Sequence, residues 1–217
     1  GSADLDGSNC TTNFVKTYGD YSYSNPQGRN LAFGVREFPM ATIMNGIALY
    51  GQNFPFGGTF LVFSDYMRSA IRLSAIQRLH VLYEFTHDSI FVGEDGPTHQ
   101  PIEHLESIRL IPGVRVLRPC DANESVTAWQ LALSTTDAPS VLCFTRQSLP
   151  ILEETANTTN REMAAQTGAS ILFDATEPEL VICATGSEVH LALNAAKRLS
   201  DHGKKVRVVS MLCREQF

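Results

Sequence analysis

Reactive side chains are densest in the string Thr86–His87–Asp88–Ser89–Ile90, continued by Gly93–Glu94–Asp95–Gly96–Pro97–Thr98–His99–Gln100–Pro101. Two histidines and three carboxylates there follow an apolar run, and a polar loop after a buried strand is a usual place for a site. Imidazole and carboxylate can donate to and accept from hydroxyl groups, so a polyhydroxylated ligand suits them. They are also metal-ligand types, but their spacing fits no zinc template. Arg146 ends another apolar run. Its planar fork suits a phosphate, or a surface ion pair.

Glu37 follows Gly34–Val35–Arg36 and has Phe38 and Met40 for neighbours. A carboxyl in apolar surroundings resists ionisation and could share its proton with a basic ring nitrogen. The alternative is a first-turn glutamate favoured by the helix dipole. Phe54, Phe56, Phe60, Phe63 and Tyr66 form an aromatic segment. Phe60, Phe63 and Tyr66 could offer a face to a flat heteroaromatic ring, or simply fill a core. Gly57–Gly58 and Gly186–Ser187 lack the lysine and the glycine spacing of phosphate loops. Thr185–Gly186–Ser187 before Glu188 reads as a capped helix start.

The elements that must position these residues alternate. Leu31–Val35 reads as a short strand, leading into a helix from about Arg36 to Tyr50 that stops at Gly51. Thr59–Phe63 reads as a strand, and Ser64 as the cap of a helix to about Arg78. His80–Phe85 is a strand, and Pro101 begins a helix. Val114–Leu117 is a strand, followed by a helix capped by Asp121 or Asn123 and running to about Leu133, then the strand Ser140–Thr145. The Thr/Asn-rich stretch Glu153–Asn160 reads as linker. Beyond it come strands at Ser170–Phe173, Leu180–Ala184 and Val206–Met211, with a helix over Glu188–Leu199. This order implies an α/β fold with a doubly wound, mostly parallel sheet, whose ligands sit outside the carboxyl ends of the strands.

The 217 residues, 43% hydrophobic and 18% charged, suffice for one full domain and part of a second. A net charge of −6 argues against nucleic-acid binding. No apolar run approaches the ~18 residues of a membrane span. No signal peptide is read at the start. Cys10, Cys120, Cys143, Cys183 and Cys213 are scattered, with no C-x-x-C pair, and read as free thiols in a reducing compartment.

Together these segments resemble transketolase. The strings that carry the resemblance are GSADLDGSN at Gly1–Asn9, FGVREF at Phe33–Phe38 and GGTFLVFSDYMRSAIR at Gly57–Arg72. They continue with THDSIFVGEDGPTHQP at Thr86–Pro101, RPCDANES at Arg118–Ser125 and ATGSEV at Ala184–Val189. The resemblance implies a cytoplasmic, homodimeric enzyme that moves a two-carbon ketol unit between sugar phosphates with thiamine diphosphate. It implies a pyrimidine-binding domain over 1–150 that lacks its first helix, a linker over 151–170, and a truncated start of the C-terminal domain over 171–217. The diphosphate-binding domain, which would hold Mg2+ or Ca2+, precedes this region in the family. In the homodimer it belongs to the partner subunit, so the fragment alone is expected to be inactive.

By motif match, Glu37 resembles the glutamate that hydrogen-bonds the aminopyrimidine and so promotes loss of the thiazolium proton. Phe60, Phe63 and Tyr66 resemble the residues that stack on that ring, and His99 the histidine near the reacting carbon. His87, Arg146 and Ser8 resemble ligands of the sugar's phosphate end, and Asp95 the carboxylate that reads its C2 hydroxyl. Asp4 resembles a supporting aspartate. Pro39 stands where the family usually has glycine, and the segment between Asn9 and Phe33 departs from the family pattern. Other thiamine diphosphate enzymes with this domain, such as dihydroxyacetone synthase, deoxyxylulose phosphate synthase or a 2-oxo acid dehydrogenase β subunit, are the alternative, as is a non-catalytic dimerisation module.

Overall fold

The computed structural model describes Gly1–Phe217. Seven strands and eight α-helices alternate along it. The strands form two sheets. The chain divides into two compact units, one of Gly1–Val114 with Thr135–Arg146, the other of Arg115–Ser134 with Gln147–Phe217.

In the first unit the strands are β1 (Phe56–Phe60), β2 (Leu82–Thr86) and β4 (Ser140–Cys143). They run parallel, with Phe60 paired to Thr86 and Phe85 to Cys143, so their carboxyl ends finish side by side. Helix α2 (Glu37–Tyr50) packs on β1 and on helix α3 (Ser64–Ile76). Its core face is Met40, Ala41, Met44 and Asn45, whereas Phe38 and Leu49 are exposed. Gly57 makes this packing possible, because a Cβ there would lie 2.4 Å from the Met44 sulfur and 3.0 Å from that of Met40. Asn45 ties the layers together: its Nδ2 donates to the Ala70 carbonyl at 2.9 Å, and its Oδ1 accepts from the Tyr83 hydroxyl at 3.0 Å. Burial holds that phenol well above its ordinary range.

The second unit holds β3 (Arg115–Leu117), α5 (Ala122–Ser134) and the sheet of β5 (Ala169–Phe173), β6 (Leu180–Ala184) and β7 (Val206–Met211). Strand β7 is parallel to β6 and antiparallel to β5. Val189, Leu193 and Ala196 of helix α8 (Glu188–Asp201) pack with Leu172, Val206 and Val208. Asp121 caps α5, its Oδ1 accepting from the Glu124 amide at 2.9 Å, while Glu124 reaches back to the Cys120 amide at 2.9 Å. Arg118 forms an ion pair with Glu188 and donates to the Thr185 carbonyl at 2.9 Å. Glu188 is thus an ion-pair partner, and Ser187 offers the helix no side-chain cap.

Several elements differ from the sequence reading. Thr12–Tyr18, in a polar stretch where the sequence analysis places no element, is a helix, α1, with no buried residue and hence no apolar periodicity to announce it. Leu31–Val35 is not a strand: Ala32 makes one isolated bridge, and Gly34, at φ +63°, ends the extended run. Strand β1 finishes at Phe60, and Leu61–Phe63 is a 3-10 turn that runs into α3, with Ser64 already helical. The helix α4 (His104–Arg109) starts after Pro101, which is buried as an anchor of the preceding loop. The stretch read as linker carries α6 (Glu153–Ala156) and α7 (Thr158–Thr167). Capping explains α7 better than hydrophobicity does: Asn157 accepts from the Thr159 and Asn160 amides, and Gly168 closes the helix at φ +74°. All five cysteines are free thiols, with Cys10 and Cys183 exposed. No helix is long and apolar enough to cross a membrane.

Candidate functional site

Parallel register builds the site. Because Phe60 pairs with Thr86, the last residue of β1 lies beside the residue that leads into His87. The Asp88 amide donates to the Phe144 carbonyl at 3.2 Å and the Phe144 amide to the Phe85 carbonyl at 2.7 Å, which brings the end of β4, and so Arg146, to the same edge. Ligands of parallel sheets collect at such an edge.

His87 leaves β2 with φ +58°, a left-handed conformation that few non-glycine residues adopt. This turn lays its imidazole on the Phe60 ring, centroid to centroid 3.8 Å and 24° from parallel. Phe60 and Phe63 lie 5.9 Å apart with planes 11° from parallel, and Tyr66 continues the series 6.1 Å from Phe63. The His99 ring meets Phe63 edge-on at 5.4 Å and Phe60 at 6.2 Å. Its Nδ1 is 2.9 Å from the Thr98 hydroxyl. Asp95 Oδ2 lies 3.9 Å from His87 Nε2. The loop between them turns through Gly93 and Gly96, at φ +70° and +73°. Phe60 is buried, Phe63 and His99 are half-buried, and Tyr66 is 63% exposed.

Charge is distributed to match. His87 is 6% exposed, and burial lowers its pKa. Arg146 and His99 lower it further, and Asp95 opposes them. Arg146 donates to Glu94 at 3.1 Å, and both side chains are open to solvent. Glu94 is held below its ordinary range by a backbone hydrogen bond and by Arg146.

Phe60, Phe63, Tyr66, His87, Asp95 and His99 are thus joined by direct contacts, and Arg146 acts on His87 through its charge. Glu37 is the first residue of α2 and is 8% exposed. No hydrogen bond or ion pair joins it, Ser8 or Asp4 to this cluster, and Ser8 and Asp4 are exposed, with Asp4 at φ +66°. Gly57–Gly58 lies inside β1.

Three supporting residues escaped the sequence reading as site groups. Thr86 Oγ1 lies 3.1 Å from His87 Nδ1 and donates to Asn9 Oδ1 at 2.8 Å. Glu84 is a carboxyl in the middle of a buried strand, and burial pushes its pKa up to about 7. A carboxylate within an apolar strand pattern was the available signal for Glu84. Asn9 had none beyond lying in a polar string.

The fold and the edge cluster define an α/β domain with an aromatic and imidazole cluster at the carboxyl ends of its parallel strands, and comparison with known proteins gives the family. Residues 1–151 match the family model described as transketolase, pyrimidine binding domain, and residues 168–217 the transketolase-like TK C-terminal domain. A probable transketolase of Streptococcus pneumoniae is 49% identical over 218 residues, covering 100% of this chain and 32% of its own length. The structure of transketolase from Leishmania mexicana superposes with a TM-score of 0.94 at 46% identity, over 100% of this chain and 31% of that one. A Pichia stipitis transketolase in complex with sedoheptulose-7-phosphate gives 0.92 at 42% identity, over 100% and 32%. A split gene transketolase, described as an inactive beta4 tetramer, gives 0.72 at 25% identity, over 91% of this chain and 61% of that one. The chain belongs to the transketolase family, within the thiamine diphosphate enzymes. It spans about a third of the length of the curated relatives it matches.

Proposed function

We propose that the chain supplies the pyrimidine-side half of a thiamine diphosphate site in an enzyme that transfers a two-carbon ketol unit from a ketose phosphate to an aldose phosphate. The observation that carries this reading is the edge cluster: two near-parallel phenylalanine rings, two imidazoles against them, and a carboxylate beside one imidazole. Its residues fit the group. Phe60, Phe63 and Tyr66 present ring faces at one edge, where a flat heterocycle gains by stacking. Glu37, nine-tenths buried at a helix start, offers a carboxyl that can hydrogen-bond a ring nitrogen. Thiamine diphosphate, when bound, supplies the nucleophilic carbon that carries the two-carbon unit. This chain's residues bind and orient: His99 lies closest to the reacting groups, Asp95 reads the C2 hydroxyl, and Arg146, His87 and Ser8 take the phosphate end. Asp4 supports the turn that carries Ser8. That a Pichia stipitis relative was solved with sedoheptulose-7-phosphate supports the substrate class.

The diphosphate and its Mg2+ or Ca2+ belong to a separate domain, contributed by the partner subunit of a homodimer. The inactivity stated for the split gene relative supports the expectation that this chain does not turn over substrate by itself. Free thiols are consistent with a reducing, cytoplasmic setting.

The test joins the chain to a transketolase diphosphate-binding domain and measures ketol transfer with xylulose 5-phosphate, ribose 5-phosphate, thiamine diphosphate and Mg2+. Turnover is expected in the joined protein and not in the chain alone. Glu37→Gln in the joined protein is expected to lower kcat by roughly 10²–10⁴-fold, the range for a positioned proton donor. Full activity of Glu37→Gln would reject its assignment.

A further inference from the structure

Behind the edge cluster a buried file of hydrogen bonds ends on His87. The Leu5 amide donates to Ser2 Oγ at 3.0 Å, and Asn9 Nδ2 to the same oxygen at 3.3 Å. Thr86 Oγ1 donates to Asn9 Oδ1 at 2.8 Å and lies 3.1 Å from His87 Nδ1. Ser2, Asn9, Thr86 and His87 are 2%, 0%, 6% and 6% exposed, so the polar atoms of Ser2, Asn9 and Thr86 find their partners within the protein. The Asn9 amide has a reason for its orientation. The Cβ position that Gly58 leaves empty is 3.0 Å from Asn9 Nδ2 and 3.3 Å from Glu84 Oε2, so both groups converge above one glycine. Above the Glu84 pKa of about 7, where the carboxylate only accepts, an N–H beside it is favoured there and a carbonyl oxygen is not. Asn9 Oδ1 then faces Thr86 and takes its single hydroxyl proton. The Thr86 oxygen has only lone pairs left for His87, so Nδ1 must carry the hydrogen.

We infer that Thr86, oriented by Asn9, is a positioning residue that fixes His87 as the Nδ1–H tautomer and leaves Nε2 as the one ring atom that can accept or take up a proton. Nε2 is the atom near Asp95, at 3.9 Å, too far for a direct hydrogen bond. Two acceptors at that spacing are complementary to donors, such as ligand hydroxyls. A phosphate dianion brings no proton, so its docking at Nε2 goes with uptake of one proton from solvent, while Nδ1–H stays on Thr86. The other groups that face His87 are the uncharged Phe60 ring, Arg146 and His99. The inference deepens the role proposed for His87 and rests on that reading only for the identity of the ligand, because the tautomer belongs to the chain itself.

The test is therefore made on the chain without ligand. Long-range ¹H–¹⁵N correlation spectra of histidine-labelled protein at pH 7.5 distinguish the two tautomers, with His87→Gln to assign the signals. His87 is expected as Nδ1–H with an unprotonated Nε2. Thr86→Ser is expected to keep this pattern, and Thr86→Val to convert it to Nε2–H or to a mixture. A native His87 in the Nε2–H form overturns the inference whether or not any variant folds. An unchanged Nδ1–H signal in a folded Thr86→Val protein overturns it as well. None of these results depends on ketol transfer, so the inference and the proposed function can fail separately.

Discussion

Glu84 gives the sharpest test of how burial acts in this fold. Its side chain sits within β2, 7% exposed, opposite Gly58 and flanked by Leu82 and Thr86. Burial raises its pKa from 4.5 to about 7. The folded form therefore holds its proton more tightly than the unfolded chain, and protonation favours the fold. Stability is lost as pH rises from the unfolded value towards the folded one, and the loss is complete above about pH 7. Integrating the linkage relation between those two values gives a penalty of about 1 kcal/mol at pH 5 and about 3 kcal/mol at pH 8. Glu84→Gln removes the titration while nearly conserving shape. Any pH-independent cost of the amide cancels when the variant is compared with the native chain at both pH values. Scanning calorimetry is the assay. The Tm difference, variant minus native, should widen by about 4 to 10 °C in favour of the variant from pH 5 to pH 8. An equal difference at the two pH values would refute the reasoning, because a buried carboxyl with a raised pKa cannot be replaced by an amide without that change.

Two further outcomes concern the second unit, both read by urea denaturation. Arg118 is 4% exposed and pairs with Glu188, whose side chain is 41% exposed, so Arg118→Met should cost about 2 kcal/mol, less than a wholly buried pair. Arg118→Lys should recover under half, since it cannot keep both Glu188 and the Thr185 carbonyl; a loss below about 0.5 kcal/mol for the methionine variant would show that the pair is not stabilising. Asn157→Ala should cost about 1 kcal/mol by leaving the Thr159 and Asn160 amides uncapped, with Asn157→Asp close to native, and equal losses for both variants would discount the cap.

Elements with a strong local signal were legible. Helix α2 stops at Gly51, which takes φ +80°, and strands β6 and β7 fall where their apolar runs are. The parallel first sheet followed from the alternation of strands and helices. The misses share a cause, which is that burial and capping rather than periodicity decide short elements. Helix α1 buries nothing, and α7 buries Ala164 alone of its ten residues, so neither leaves an amphipathic trace. On α3 the large apolar side chains Leu73 and Ile76 are exposed, and the buried side is Met67, Ala70, Ile71, Ser74 and Ala75. Small residues there let α2 approach, and a scale of hydrophobicity ranks them poorly.

The site divides along the same line. Side chains proposed to meet a ligand are chemically distinctive, and those of the Thr86–Pro101 loop are close in sequence because one loop carries them. His87, Asp95 and His99, which the structure brings together around Phe60, could therefore be read as a group from the sequence. The groups that hold them in place need only one correctly placed oxygen or hydrogen, and residues as ordinary as threonine and asparagine provide it. Asn9 reaches Thr86 across 77 residues, and that pairing exists because β1 and β2 are in a register that sets Phe60 beside Thr86. The tautomer of His87 is thus a property of strand register. A one-residue slip of β2 would turn Thr86 to the other face of the sheet and leave the same histidine, in the same motif, with a different atom to offer.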